Sequence, residues 1–416
     1  MSRNITEKYL WINNYFFENS LRQEFKDDSI FLKTFEVLHE DSNRNKHFWC
    51  DIIKFEINYT NSSNELLSRN VTLKISFYNP YIEETLEKYD PFKRELFFHQ
   101  DVLPKLEELL LSVDDNTKLT EKTICVANNR PKPKYILLEE LSTKKYIKVD
   151  RKRGLDMTHL KLTLEKLAKL HATSAVLSTE KDETFPHHQE PNISESSKIF
   201  YSLFSNCMQA LIEEMINSKD EDEKRLGRKL ENFEKNMFDK STEAFLLPPD
   251  DFYVLCHGDL WMNNLLFEYD EETGQPNDVS FSDFGLSYFG SPGIDLSYLI
   301  FTSSSNDIKD YEIDILLQFY QQNLHANLIK LNYSQPIPSL IQVHNFFLKC
   351  GVIGFVYSCL LLPIRFAAPA LLKDMSAFVE ETEDSLMIRK ELFKNFMLKD
   401  RLRFLLYYFD RKGVLE

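Results

Sequence analysis

The chain has 416 residues, 43% of them hydrophobic and 28% charged, the make-up of a globular protein with a core large enough for two lobes. Its formal net charge of −15 excludes charge-driven binding to nucleic acid or to an anionic membrane, both of which need basic patches. An anionic nucleotide stays open as a ligand, because screening over roughly 8 Å hands control of a site to its local cations.

Met1–Glu7 has no apolar core of a signal peptide. The six cysteines are scattered without a Cys-x-x-Cys pair, so neither a zinc site nor a disulfide framework is expected, and the protein reads as cytoplasmic and reduced. The first 153 residues contain no glycine. Within them, alternation predicts strands over Trp49–Tyr59 and Val71–Phe77, joined by the polar segment Thr60–Asn70. Phe92–Leu111 has the spacing of an amphipathic helix, and Tyr135–Leu141 reads as a strand that ends in acidic residues. From Leu155 onward helical periodicity takes over, in Leu160–Leu177, Glu195–Asn217, Lys219–Lys240, Asp307–Leu331, Ser339–Leu362 and the segment after Ser376. The uncharged run Cys350–Ile364 holds two glycines and a proline, is too short to cross a bilayer, and reads as a buried helix.

One hairpin interrupts the helices. The short apolar stretches Leu265–Tyr269 and Asp278–Ser282 flank the turn-forming run Glu271–Pro276. Centred on Thr273 and Gly274, the hairpin sets Asn264 opposite Asp283 at its open end. An amide oxygen and a carboxylate then converge five residues downstream of a second carboxylate, Asp259 of Cys256-His257-Gly258-Asp259. Hard oxygen ligands of this kind suit Mg²⁺, which takes one or two carboxylates and fills its shell with water and phosphate oxygens. An acid beside a metal–phosphate site is how a hydroxyl is held and deprotonated in phosphoryl transfer.

Blander accounts exist for each residue. Asp283-Phe284-Gly285 alone makes a turn. Asp295, ahead of Leu296-Ser297-Tyr298-Leu299, has the place of a helix N-cap. His171 falls on the apolar face of Leu160, Leu164, Leu167 and Ala168, as a core histidine does. A strand lysine such as Lys74 is ordinarily solvated.

In order along the chain, Phe92-Lys93-Arg94-Glu95 with Val102-Leu103-Pro104, Ile136-Leu137-Leu138-Glu139-Glu140-Leu141, Leu167-Ala168-Lys169-Leu170-His171-Ala172, Cys256–Phe267, Ser282-Asp283-Phe284-Gly285 and Gly293-Ile294-Asp295-Leu296-Ser297-Tyr298 resemble the landmarks of the insect ecdysteroid kinase-like family, itself similar to choline and aminoglycoside kinases. The resemblance implies an α+β, two-lobed protein-kinase-like fold: a small antiparallel sheet lobe over residues 1–141 that binds nucleotide, and a mainly helical lobe over 142–416 for catalysis and substrate. It implies ATP and Mg²⁺, with Asp259 as catalytic base and Asn264 and Asp283 as metal ligands. Lys74, paired with Glu95, would neutralise the nucleotide phosphates, with Lys54 on the neighbouring strand as competitor. The hinge Glu140–Leu141 would meet adenine through its backbone, and His257 and Asp295 would be structural supports of the catalytic loop. One stretch departs from the pattern: Glu40–Phe48, where kinases carry a glycine-containing phosphate loop, has no glycine, leaving Ser42, Arg44 or Lys46 to bind phosphate with side chains.

The implied function is phosphotransfer from ATP to a hydroxyl of a small lipophilic molecule, an ecdysteroid or a foreign compound handled in detoxification. ATP and that molecule are the implied partners; nucleic acid, membrane insertion and an obligate protein partner are not. The richness in aromatics, 33 Phe and 19 Tyr, suits an apolar pocket and an ordinary core alike. A catalytically idle, kinase-shaped binding or scaffold protein is the alternative that the glycine-free stretch favours. A protein kinase is disfavoured, because the eleven residues between Asp283 and Asp295 leave no room for an activation segment and peptide platform.

Overall fold

The structure is a computed structural model that describes residues 8–41, 50–77, 89–127, 133–141, 146–179, 191, 193–194, 198–246, 252–368, 371 and 376–416. Strands β1 (Phe31–Asp41), β2 (Cys50–Thr60), β3 (Leu66–Ser76), β4 (Thr123–Ala127) and β5 (Tyr135–Glu139) form one antiparallel sheet in the order β1-β2-β3-β5-β4. Period-2 alternation decides what each face carries. Ile53, Phe55 and Ile57 of β2 and Val71, Leu73 and Ile75 of β3 are buried with Phe16, Phe17 and Leu21 of helix α1 (Asn14–Phe25), in one hydrophobic core. The residues between them, Lys54, Thr72 and Lys74, therefore face the opposite side. There the paired register sets Lys54 beside Thr72 and Lys74 beside Ile52, and helix α2 (Pro91–Phe97) packs Phe92 and Leu96 against Ile136 and Leu138.

Two expectations are adjusted here. The segment read as a connector, Thr60–Asn70, is mostly strand, because β2 and β3 extend past the core as a ladder reaching Thr60 and Leu66. The expected helix Phe92–Leu111 is broken into α2, a π-helical turn over Phe98–Val102, and α3 (Leu103–Leu111). Pro104 supplies no N–H for a continuous ladder there, and the widened turn lets Phe98 stack flat on Phe284 with ring centroids 3.7 Å apart. Helix α1 and strand β1 add to what the periodicity gave.

The second half is helical: α4 (Met157–Thr179), α5 (Lys198–Ile216), α6 (Glu221–Phe245), α7 (Pro292–Ser303), α8 (Asp310–Lys330), α9 (Leu340–Lys349), α10 (Gly351–Phe366), α11 (Ser376–Val379), α12 (Glu383–Phe393) and α13 (Phe396–Arg411). The stretch read as one helix from Ser339 to Leu362 is two, α9 and α10, bent by 50°. The backbone leaves the helical region at Cys350, whose carbonyl accepts the Ser297 hydroxyl at 3.0 Å. No single helix among the described residues is long and apolar enough to cross a membrane. Every residue of α7 is buried, which makes that helix the rigid centre of this half. Short strands frame the loops beside it: β6 (Tyr146–Ile147), β8 (Leu265–Tyr269) and β9 (Pro276–Phe281) in one small sheet, and β7 (Val254–Cys256) paired with β10 (Tyr288–Gly290) in another. The whole is an α+β fold, with the antiparallel sheet in the first part of the chain and a mainly helical second half.

Candidate active site

Lys74 leaves β3 on the face that carries α2. Its Nζ lies 2.5 Å from Glu95 Oε1 and 3.8 Å from Asp283 Oδ1. Glu95 is brought there because Asp90 caps α2 with its side chain on the Lys93 N–H and Pro91 opens the first turn. Both partners are buried. Burial pulls the Lys74 ammonium down, but the Asp283 and Glu95 carboxylates outweigh it and hold it well above its ordinary value. Burial pushes the Glu95 carboxyl up, against the pull of Lys74. Lys54 is engaged elsewhere: it pairs with Glu140 at 2.9 Å, and the second oxygen of Glu140 accepts the Thr72 hydroxyl. The Glu140 N–H donates to the Asn70 carbonyl at 3.0 Å.

The loop after β7 hangs from α7. Asp295 accepts the His257 N–H at 2.7 Å through Oδ2 and the Gly258 N–H at 3.0 Å through Oδ1. Its Oδ2 also faces His171 Nε2 at 3.1 Å, while His171 Nδ1 takes the Tyr320 hydroxyl at 2.7 Å. His171 is thus a satisfied core histidine that anchors the same carboxylate. The N-cap account of Asp295 does not hold: Ser291 caps α7 with its side chain on the Gly293 N–H, and Pro292 opens the helix. Gly258 has φ +79, and a Cβ there would lie 2.0 Å from the Leu286 carbonyl oxygen, so the loop needs glycine at this position. His257 is buried, and its ring links two loops. Nδ1 accepts the Asp259 N–H at 3.3 Å, which leaves Nε2 to donate to the Ser282 carbonyl at 3.0 Å. Burial pulls its basicity down, in keeping with a neutral ring.

Asp259 sits between two donors. Asn264 Nδ2 reaches Asp259 Oδ2 at 2.8 Å and the Asp259 carbonyl at 2.9 Å, and the Tyr298 hydroxyl donates to Oδ1. The carboxylate is half-buried and hemmed in by protein on its inner side. Burial and the neighbouring Asp283 carboxylate push it up to about 7, against the pull of the Tyr298 and Asn264 bonds. The hairpin register differs by one from expectation: Leu265 pairs with Phe281, and the Ser282 N–H donates to the Asn264 carbonyl at 2.9 Å. At the bulge between Glu268 and Tyr269 the pairing skips Asn277 of β9. Asp283 follows in the left-handed region, at φ +66, with its side chain a third exposed.

The donor chemistry fits a hard divalent cation. The Asn264 amide turns its nitrogen onto Asp259 and hence its oxygen away, and the Asp283 carboxylate is open on one side. Among the described residues no group of three or more His, Cys, Asp or Glu is placed to hold a metal.

One residue and one pairing were not singled out from the sequence. Tyr298 lay inside a quoted landmark, three residues after Asp295, a spacing that puts both on one face of α7. The Lys54–Glu140 pair gave no local signal. The glycine-free stretch Glu40–Phe48 falls mainly on residues 42–49, outside the described residues.

A model of the ecdysteroid kinase-like family matches residues 44–333. Among solved structures, the chain is similar to an aminoglycoside phosphotransferase from Alicyclobacillus acidocaldarius subsp. acidocaldarius DSM 446, at 13% identity and a TM-score of 0.36 over 92% of this chain and 93% of that one. It is also similar to the amicoumacin kinase hAmiN in complex with AMP-PNP, Ca²⁺ and Ami, at 13% identity and 0.34 over 88% and 89%. A thermostable mutant of the aminoglycoside phosphotransferase APH(4)-Ia, in a ternary complex with ADP and hygromycin B, matches at 11% identity and 0.33 over 87% and 97%. No curated protein matches the chain.

Proposed function

We propose, from the premise that the chain belongs to the ecdysteroid kinase-like family and is a small-molecule kinase, that it transfers the γ-phosphoryl group of ATP, with Mg²⁺, to a hydroxyl of a small lipophilic molecule such as an ecdysteroid or a foreign compound. The observation that carries this reading is one chain of contacts. Lys74 joins Glu95 to Asp283, and the neighbouring Ser282 is bonded to Asn264 and His257, which hold Asp259.

Residues 1–141 form the nucleotide-binding lobe in this reading, and residues 142–416 the catalytic and substrate lobe. Lys74, kept charged and oriented by Glu95, draws the nucleotide phosphates; the hinge around Glu140 and Leu141 takes the adenine through backbone, with Glu140 itself bracing Lys54 and Thr72. Asn264 and Asp283 hold the Mg²⁺, which when bound neutralises charge on the phosphate oxygens. Asp259 receives the acceptor's proton while the acceptor oxygen bonds to phosphorus and the bond from phosphorus to the bridging oxygen of ADP breaks. Asp295 and His257 fix the loop. Five of the six cysteines are buried, and the compartment in this reading is a reducing cytoplasm.

The test begins with binding. At a hundred times its dissociation constant, Mg·ATP should stabilise the protein by about 2.7 kcal/mol, and Asp283→Asn should abolish that gain while leaving the unliganded melting temperature in place. A phosphotransfer screen over hydroxylated steroids and plant metabolites then identifies the acceptor. Stabilisation by Mg·ATP without transfer to any acceptor would favour the idle binding protein.

A further inference from the structure

Tyr298 is the one large side chain of the fully buried α7 whose polar end reaches the loop chemistry. It is 1% exposed, its hydroxyl bonds Asp259 Oδ1, and its ring rests on Tyr357 of α10 with centroids 4.3 Å apart. Tyr357 in turn packs on Phe204 of α5 at 4.8 Å. A buried phenol needs a partner for its O–H, and here the partner is a carboxylate, the stronger kind of acceptor. Asn264 holds the other oxygen of the same carboxylate. Two donors, one on each oxygen, arrest rotation of the Asp259 group, and the donor from α7 is itself immobilised by aromatic packing on Tyr357 of α10 and, through it, on Phe204 of α5.

We propose that Tyr298 is a positioning residue for phosphoryl transfer: it fixes the plane of the Asp259 carboxylate so that a lone pair meets the incoming acceptor hydroxyl. The inference rests on Asp259 being the base. In the transfer step the acceptor's proton passes to Asp259 as the oxygen–phosphorus bond forms and ADP departs; Tyr298 keeps its own proton throughout. Burial and the adjacent Asp259 charge push the phenol well above its ordinary value, which keeps it a donor. The helix thereby supports the catalytic loop at two points, its backbone through Asp295 and its reacting carboxylate through Tyr298, three residues apart on one face. Misplacement of a reacting group by about 1 Å can lower a rate on the order of 10²-fold.

The experiment uses the full chain with Tyr298→Phe, which removes one oxygen and keeps the ring. The expected result is a fall in kcat of about 10–100-fold, with the Kd for Mg·ATP, the KM for the acceptor and the melting temperature unchanged. A merely structural role would lower the melting temperature and leave kcat of the folded fraction alone. Equal kcat in the variant and the wild type overturns the proposal and leaves the kinase reading standing. Absence of transfer by the wild type overturns both. Should the variant fail to fold, a crystal structure of the wild type with Mg·AMP-PNP decides: the Tyr298 hydroxyl on Asp259 Oδ1 supports the proposal, and a hydroxyl turned to any other partner overturns it.

Discussion

Glu95→Ala should strip a buried lysine of its closest counter-charge. Lys74 and Glu95 have side-chain exposures of 7% and 1%, so water cannot take over the role of the lost carboxylate. Breaking such a pair by removing one partner costs about 3–5 kcal/mol. Asp283 stays 3.8 Å from the ammonium, which places the expected loss at the lower end, about 3 kcal/mol. The companion variant Lys74→Met with Glu95→Leu replaces both charges by apolar groups of similar size, and replacements of that kind are often neutral or stabilising. Its stability should return to within about 1 kcal/mol of wild type, yet it should show no stabilisation by Mg·ATP. Urea unfolding at pH 7.5, with and without Mg·AMP-PNP, reads both quantities. The pair would then be retained for nucleotide binding at no gain in stability. A double variant as unstable as Glu95→Ala would show that the loss came from packing. A double variant that still responds to nucleotide would remove Lys74 from the phosphate site.

Two further outcomes follow from residues around this pair. His99 on the π-helical turn is 3% exposed, bonds Thr123 Oγ1 at 2.8 Å, and is pushed down to about 3 by burial and then by the Lys74 charge. Its folded form stays neutral while the unfolded chain protonates near 6.5, so its contribution is present in full above that pH and fades as pH falls toward 3. By pH 5 that amounts to about 2 kcal/mol; His99→Gln should lose that much less stability between pH 7.5 and 5 in urea titrations, and an identical pH dependence would refute the assignment. Gly258→Ala meets both a positive φ and a carbonyl oxygen 2.0 Å from the new Cβ. It should lower stability by about 1–3 kcal/mol and depress turnover through the displaced Asp259, and a fully active, fully stable variant would contradict the loop geometry.

What the sequence made legible was local. Strand alternation in Val71–Phe77 and the helical spacing after Phe92 placed Lys74 and Glu95 on their elements, and the resemblance to the ecdysteroid kinase-like family singled them out together with Asp259 of the His-Gly-Asp run. The long β2–β3 ladder was shortened in reading because its outer end, Leu66–Asn70, extends past the core and is exposed or half-exposed. A solvated strand shows no hydrophobic alternation. Strand β1 hides for the same reason, with Phe31, Val37 and Leu38 exposed along its edge. The hairpin register differs by one because the turn is centred between Glu272 and Thr273, and the bulge at Glu268/Tyr269 offsets only part of that shift. Contacts between distant elements were out of reach altogether. Nothing in the letters ties Lys54 to Glu140, 86 residues away, or Tyr298 to Asp259, 39 residues away.

The central claim is that Asp259 accepts the proton of an attacking hydroxyl. Asp259→Asn keeps the size of the side chain and removes its basicity, so it should bind Mg·ATP with wild-type affinity. Measured as transfer of labelled γ-phosphate to an acceptor that the wild type uses, its kcat should fall by roughly 10²–10⁴-fold, the usual effect of losing a general base. Turnover near that of the wild type would contradict the account.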